Sequence, residues 1–171
     1  FKLRVDFPSA DALHTILDRT TSPQHIHAKK VLGGPELIEL RNLVRQVPVA
    51  RSVQDFAVRI LVGTHPDADK AAKALGGKVE KADKNDLVKR FVRYGGSPRG
   101  AQALLLGAKV LALLDGRFAV SCADVIKVAR PALRHRLILN FEGQAEGVST
   151  DDIISAIIAK TPEALPGGAR S

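Results

Sequence analysis

Tryptophan is absent, tyrosine occurs once (Tyr94), and aromatics make up 4% of the residues, so the chain lacks both the usual filling of a β-sandwich and a set of rings for stacking bases. A single cysteine, Cys122, excludes an internal disulfide and any cysteine-rich zinc module, and makes a reducing, cytoplasmic compartment the default. No apolar run reaches the roughly 20 residues of a membrane span, because Lys109 interrupts the best one. Like charges never run together for five residues. The excess of 26 Lys and Arg over 18 Asp and Glu gives a net charge of +8 and favours polyanionic partners, yet it is dispersed among acids and forms no evident patch. A phosphate loop is also missing: Gly76-Gly77-Lys78 has no earlier glycine at the required offset and is followed by Val79 instead of Ser or Thr, so it reads as a turn.

What is present is Ala, Leu and Val within a 171-residue chain that is 45% hydrophobic, enough for a core and weighted toward packed helices. The expected fold is mainly α. Phe1, Leu3, Val5 and Phe7 alternate as in a strand that must find its partner elsewhere, on a neighbouring molecule or in an upstream sheet. Ser9 then caps a helix carrying Leu13, Ile16 and Leu17 to about Thr20, and residues 21–33 read as a loop. Gly34-Pro35 starts a second helix with Leu37, Leu40, Leu43 and Val44 at helical spacing. A third, opened by Ala50 or Ser52, aligns Val53, Phe56, Ala57, Ile60 and Leu61, and Gly63-Thr64-His65-Pro66 stops it.

Residues 66–94 read as a surface insertion with a short Ala-Lys helix at 67–75 and a further helical turn over 86–91. A long apolar helix follows from Ser97 to Asp115-Gly116. Ser121 to Asp124 has capping-box spacing before a helix to about Leu133, in which Pro131 predicts a kink or early stop, and Ser149 to Asp152 repeats the signature ahead of a frayed tail.

Most chemically suggestive residues have plain structural explanations. His25 and His27 lack a third metal ligand nearby, so no metal site is expected. Asp151 and Asp152 suit a helix first turn, and Arg134, His135 and Arg136 suit a helix C-terminus. Gly100 and Gly107 share one face and read as close helix packing, and Cys122 as an inert thiol. Arg99 fits less well. Ser97 suits the N-cap and Pro98 the first helical position, but a cation in the first turn opposes the helix dipole. It is either a solvated surface arginine or a phosphate clamp, because a guanidinium beside exposed backbone N–H groups suits an anion.

The segments "GGSPRGAQALLLGAKVLALLDGR" and "VSCADVIKVARPALRHRLILNFEGQAEGVSTDDII", with "VDFPS" at the start, resemble the C-terminal part of MoxR-family AAA+ ATPases. The resemblance implies a helical AAA+ lid-type bundle over residues 9–161 with the insertion at about 66–94, preceded at 1–8 by the last strand of a nucleotide-binding α/β subdomain and followed at 162–171 by a flexible tail. It implies that Arg99 is the sensor-2 arginine, positioned by Ser97 and Pro98, facing the γ-phosphate of ATP held with Mg²⁺ by residues outside this chain. Neighbouring protomers in a ring, often a hexamer, and proteins with von Willebrand factor A domains are the implied partners, and remodelling or maturation of proteins the implied work. Two rival readings are a basic helical nucleic-acid module and a non-catalytic interaction domain.

Overall fold

The computed structural model describes residues 1–23, 27–68 and 87–163. Eight helices and one two-stranded sheet lie among the described residues, in the order α1 Ala10–Thr21, α2 Gly34–Gln46, α3 Arg51–Gly63, α4 Leu87–Phe91, β1 Val92–Tyr94, α5 Pro98–Leu114, α6 Cys122–Leu133, β2 Ile138–Leu139, α7 Phe141–Ala145 and α8 Thr150–Lys160. The mainly α expectation holds.

Helix α5 is the axis of the bundle, packed by α6, α3 and α2. Its sequence is apolar nearly all round, as a helix enclosed by neighbours must be, and its buried side consists of Gly100, Leu104, Gly107, Ala108 and Ala112. The small residues let other side chains approach the backbone. Phe56 and Ile60 of α3, Leu133 of α6 and Ile153 and Ile154 of α8 are fully buried with Leu104, each contributing about 1.5–3 kcal/mol of transfer free energy. Lys109, the one charge of α5 beyond its first turn, donates to the Arg45 carbonyl at 3.0 Å and thus places a cation at the C-terminal end of α2.

Caps set several boundaries. Ser9 Oγ accepts from the Ala12 amide at 3.3 Å, and Asp11 sits in the first turn of α1. Ser121 and Asp124 complete a capping box on α6. Pro131 stops nothing: α6 continues to Leu133, and the Pro131 carbonyl accepts from the Lys2 amide at 2.9 Å. Gly116, at φ +68°, lets the chain turn after α5.

Three features add to or correct the pattern. First, residues 1–7 have no ladder partner among the described residues, and Leu3, Val5 and Phe7 are 80–90% exposed; the sheet found there is β1 against β2, antiparallel with Val92 opposite Leu139 and Tyr94 opposite Ile138. Second, α1 and α2 form where their patterns put them but bury none of their residues; Leu37, Ile38, Leu40 and Leu43 of α2 are all about half exposed. Amphipathic spacing says that a face is apolar, and what covers it is a separate matter.

Third, the surface reading of 66–94 fails at its C-terminal end. Val88, Phe91 and Val92 are buried in the core, and Arg90 ties α4 to α7 through Glu142 and Glu146, each at 2.6 Å. The helical turn expected over 86–91 is present as α4. The Ala-Lys helix, the Gly76 to Lys78 turn, His25 and the tail from residue 164 lie outside the described residues.

Candidate functional site

The first turn of α5 presents Ser97, Pro98 and Arg99, all exposed, above a buried Gly100. Ser97 has the extended backbone of an N-cap, at φ −73° and ψ 169°, and Pro98 takes the first helical position as its missing N–H allows. The hydroxyl makes no capping bond, contrary to expectation. Its carbonyl takes the part instead, accepting from the Gly100 amide at 2.6 Å. No acid occupies this turn, and Arg99 has no ion-pair partner among the described residues. An exposed cation, a helix N-terminus and an uncapped turn therefore face solvent together.

The approach to this turn is held from α3. The Gly96 amide donates to Thr64 Oγ1 at 2.9 Å, and that hydroxyl donates to the Leu61 carbonyl at 2.6 Å. His65 Nε2 lies 2.9 Å from the Gly96 carbonyl; only a protonated Nε2 can bond there, so this nitrogen is the donor. Both backbone polar groups of Gly96 are thus taken by two consecutive side chains. Glycine is required by proximity at 95, where a Cβ would stand 2.6 Å from the Thr64 carbonyl oxygen, while a Cβ at 96 would meet the end of the Leu61 side chain at 2.9 Å. Sequence reasoning treated Thr64 and His65 only as a helix stop. No local signal could have linked them to a residue more than 30 positions away.

Below Arg99, one face of α5 continues through Gln102, Leu105, Leu106 and Lys109. With Arg45, Gln54 and residues 47–49, these line an open groove of about 580 Å³. Arg136 reaches the same end of the helix from the opposite side: its Cδ would lie 3.7 Å from a Cβ on Gly100, and its Nε donates to the Ala132 carbonyl at 2.9 Å. Desolvation, then the positive charges of Arg136 and Lys2, hold the exposed His135 imidazole below its ordinary range.

The remaining candidates resolve structurally. Arg134 and Asp151, read separately in the sequence, form a bidentate pair at 3.0 and 2.8 Å, about four-fifths shielded from solvent. Gly100 does admit Leu61 of α3 and Leu133 of α6, but it is the Phe1 ring that sits against Gly107. Burial pushes the Cys122 thiol up, as suits an unreactive thiol. Among the described residues, His27 is exposed and no cluster of three metal-ligating side chains occurs.

The AAA lid domain family matches residues 84–157, the stretch from just before α4 into α8 that includes the α5 turn. The chain is 32% identical over 160 residues to the chaperone MoxR1 of Mycobacterium tuberculosis, covering 92% of this chain and 38% of that protein. The chain fits a MoxR-family AAA+ lid. The MoxR protein of Paracoccus denitrificans is 39% identical over 75 residues, which are 43% of this chain and 22% of that one. Bacillus subtilis YeaC is 27% identical over 162 residues, 93% of this chain and 43% of its own length. A solved structure from Cytophaga hutchinsonii, described as that of an ATPase, superposes with a TM-score of 0.74 at 25% identity over 92% of this lid and 44% of that chain. The lid therefore spans about two fifths of the length of the relatives it matches from end to end. No helix among the described residues is long and apolar enough to cross a membrane.

Proposed function

We propose that the chain is the C-terminal lid of a MoxR-like AAA+ ATPase and that Arg99 is its sensor-2 arginine, facing the γ-phosphate of ATP. The observation that carries this reading is the α5 turn, where an exposed guanidinium without an acidic partner among the described residues stands at a helix N-terminus whose cap residue contributes no side-chain bond. Those donors fit a polyphosphate: the fork of the guanidinium suits phosphate oxygens, and the helix dipole favours negative charge at this end. ATP supplies the phosphoanhydride bond. Arg99 would hold charge on the terminal phosphate, Pro98 would begin the helix without an N–H to satisfy, and the Ser97 backbone would fix the turn. The Mg²⁺ ligands and the phosphate cradle are assigned to residues outside this chain, and the isolated chain is expected to hydrolyse no ATP.

In the whole protein, closure of the lid on nucleotide would couple hydrolysis to remodelling or maturation of partner proteins. Assembly into a cytoplasmic ring of six protomers and work on proteins with von Willebrand factor A domains belong to the same proposal. The test is Arg99→Ala in the full-length protein. Apo melting should be unchanged or slightly raised, because an unfavourable dipole interaction of a few tenths of a kcal/mol is relieved. ATP turnover should fall at least tenfold, the scale set by losing a charged hydrogen bond of about 1.5–3 kcal/mol. Wild-type turnover in this variant rejects the role given to Arg99.

A further inference from the structure

We propose that Thr64 and His65 are positioning residues for Arg99, acting through the Gly96 peptide; the inference rests on the reading of Arg99 as phosphate-facing. Thr64 is fully buried at the end of α3, and its hydroxyl has no rotational freedom left to spend: the proton goes to the Leu61 carbonyl and a lone pair receives the Gly96 amide. His65 closes the other side of the same peptide through the Gly96 carbonyl, while its own amide donates to the Val62 carbonyl at 3.0 Å. The end of α3 and the approach to α5 thus form one hydrogen-bonded unit. Gly95 lets the two backbones meet, and the Ser97 carbonyl to Gly100 amide bond carries the constraint into the helix.

Arg99 is three residues beyond the clamped peptide. A long side chain can deliver its charge reproducibly only if its Cα is fixed, and a displacement of about 1 Å at a reacting group can cost on the order of 100-fold in rate. A core threonine would serve folding with its methyl group alone. The polar pairing of both Gly96 groups specifies, in addition, where the turn lies relative to α3.

The experiment uses the full-length protein and a double-mutant design. His65→Ala should lower ATP turnover at least fivefold in the wild-type background, measured well below its melting temperature, and less than 1.5-fold in an Arg99→Ala background. His65→Gln, whose amide N–H can stand in for Nε2–H, should return turnover to within twofold of wild type. Thr64→Val keeps the shape of the side chain and removes the hydroxyl; it should speed hydrogen exchange of the Gly96 amide at least tenfold and lower turnover in the same background-dependent way. Equal losses from His65→Ala with and without Arg99 would show a general structural role and overturn the inference while leaving Arg99 in place. So would wild-type turnover in Thr64→Val once the Gly96 amide has opened. Wild-type turnover in Arg99→Ala alone overturns the Arg99 reading, and the positioning role with it.

Discussion

Asp124 is fully buried and ionised at the start of α6, and replacing it with Asn should be among the most damaging isosteric changes available to this lid. Its carboxylate accepts from Arg117 Nη1 at 2.8 Å and Nη2 at 2.6 Å, and from the Ser121 amide and hydroxyl at 2.9 and 2.8 Å. Asparagine keeps one acceptor oxygen and turns an NH₂ toward donors, so about two charge-assisted bonds are lost at about 1.5–3 kcal/mol each. Arg117 is 39% exposed and can rehydrate, which discounts that sum. A net loss of about 2–4 kcal/mol remains, or a fall in Tm of roughly 5–15 °C for a chain of this size.

The pH dependence supplies a second handle on Asp124. The Arg117 bonds, opposed by burial and helped by Ser121, hold the Asp124 carboxyl well below the usual carboxylate range. Its contribution is therefore complete above the unfolded value of about 3.9 and is lost as pH falls below that toward the depressed folded value. The Asn variant has no such titration, so the difference in Tm between the two proteins should narrow from pH 7 to pH 3. Thermal melts at both pH values test this. A variant that melts within 1 °C of wild type at pH 7, or a difference of equal size at both pH values, would refute the reasoning.

Two glycines should respond oppositely to alanine in denaturant titrations. Gly95→Ala sets a Cβ 2.6 Å from the backbone oxygen of Thr64 and should cost about 1–3 kcal/mol, whereas Gly34→Ala meets nothing within 4 Å in the first turn of α2 and should be neutral or stabilising by up to about 1 kcal/mol. In a double-mutant cycle, Arg134→Ala and Asp151→Ala should show a coupling of about 1–2 kcal/mol, because the pair is bidentate and mostly shielded; additive effects would mean that the two groups act independently.

Periodicity and caps were legible in the sequence because they are local. Ser9, Ala50, Ser121, Asp115-Gly116 and Ser149 mark helix boundaries within a residue or so of where they lie, and the apolar run after Pro98 identifies the central helix. Ser97, Pro98 and Arg99 were equally visible, since the misfit of a cation at a helix start needs only the sequence to be noticed. Tertiary pairings were not legible. The two short strands hold too few residues for a period to show, and α4 looked like surface because Lys89 and Arg90 split its apolar Leu87, Val88 and Phe91 within five residues. Arg134 and Asp151 each had a sufficient explanation alone, which concealed their union. The Ser97 hydroxyl shows the converse: a residue type right for a cap does not fix which of its oxygens makes the bond.

The seating of Phe1 against Gly107 has a mechanical consequence. Residues 1–9 touch the bundle at two places, the Phe1 ring on the middle of α5 and the Lys2 backbone on Pro131 and Arg134 at the end of α6. A pull on this segment therefore loads α5 and α6 before it reaches α1, although α1 follows directly in the chain. Gly107 and Arg99 are eight residues apart on one stiff helix, about 12 Å along its axis, and the far end of that helix is anchored through Gly96. Phe1 and the clamp at Gly96 thus bear on one continuous helix, so the route from the opening segment to the Arg99 turn runs through the α5 backbone.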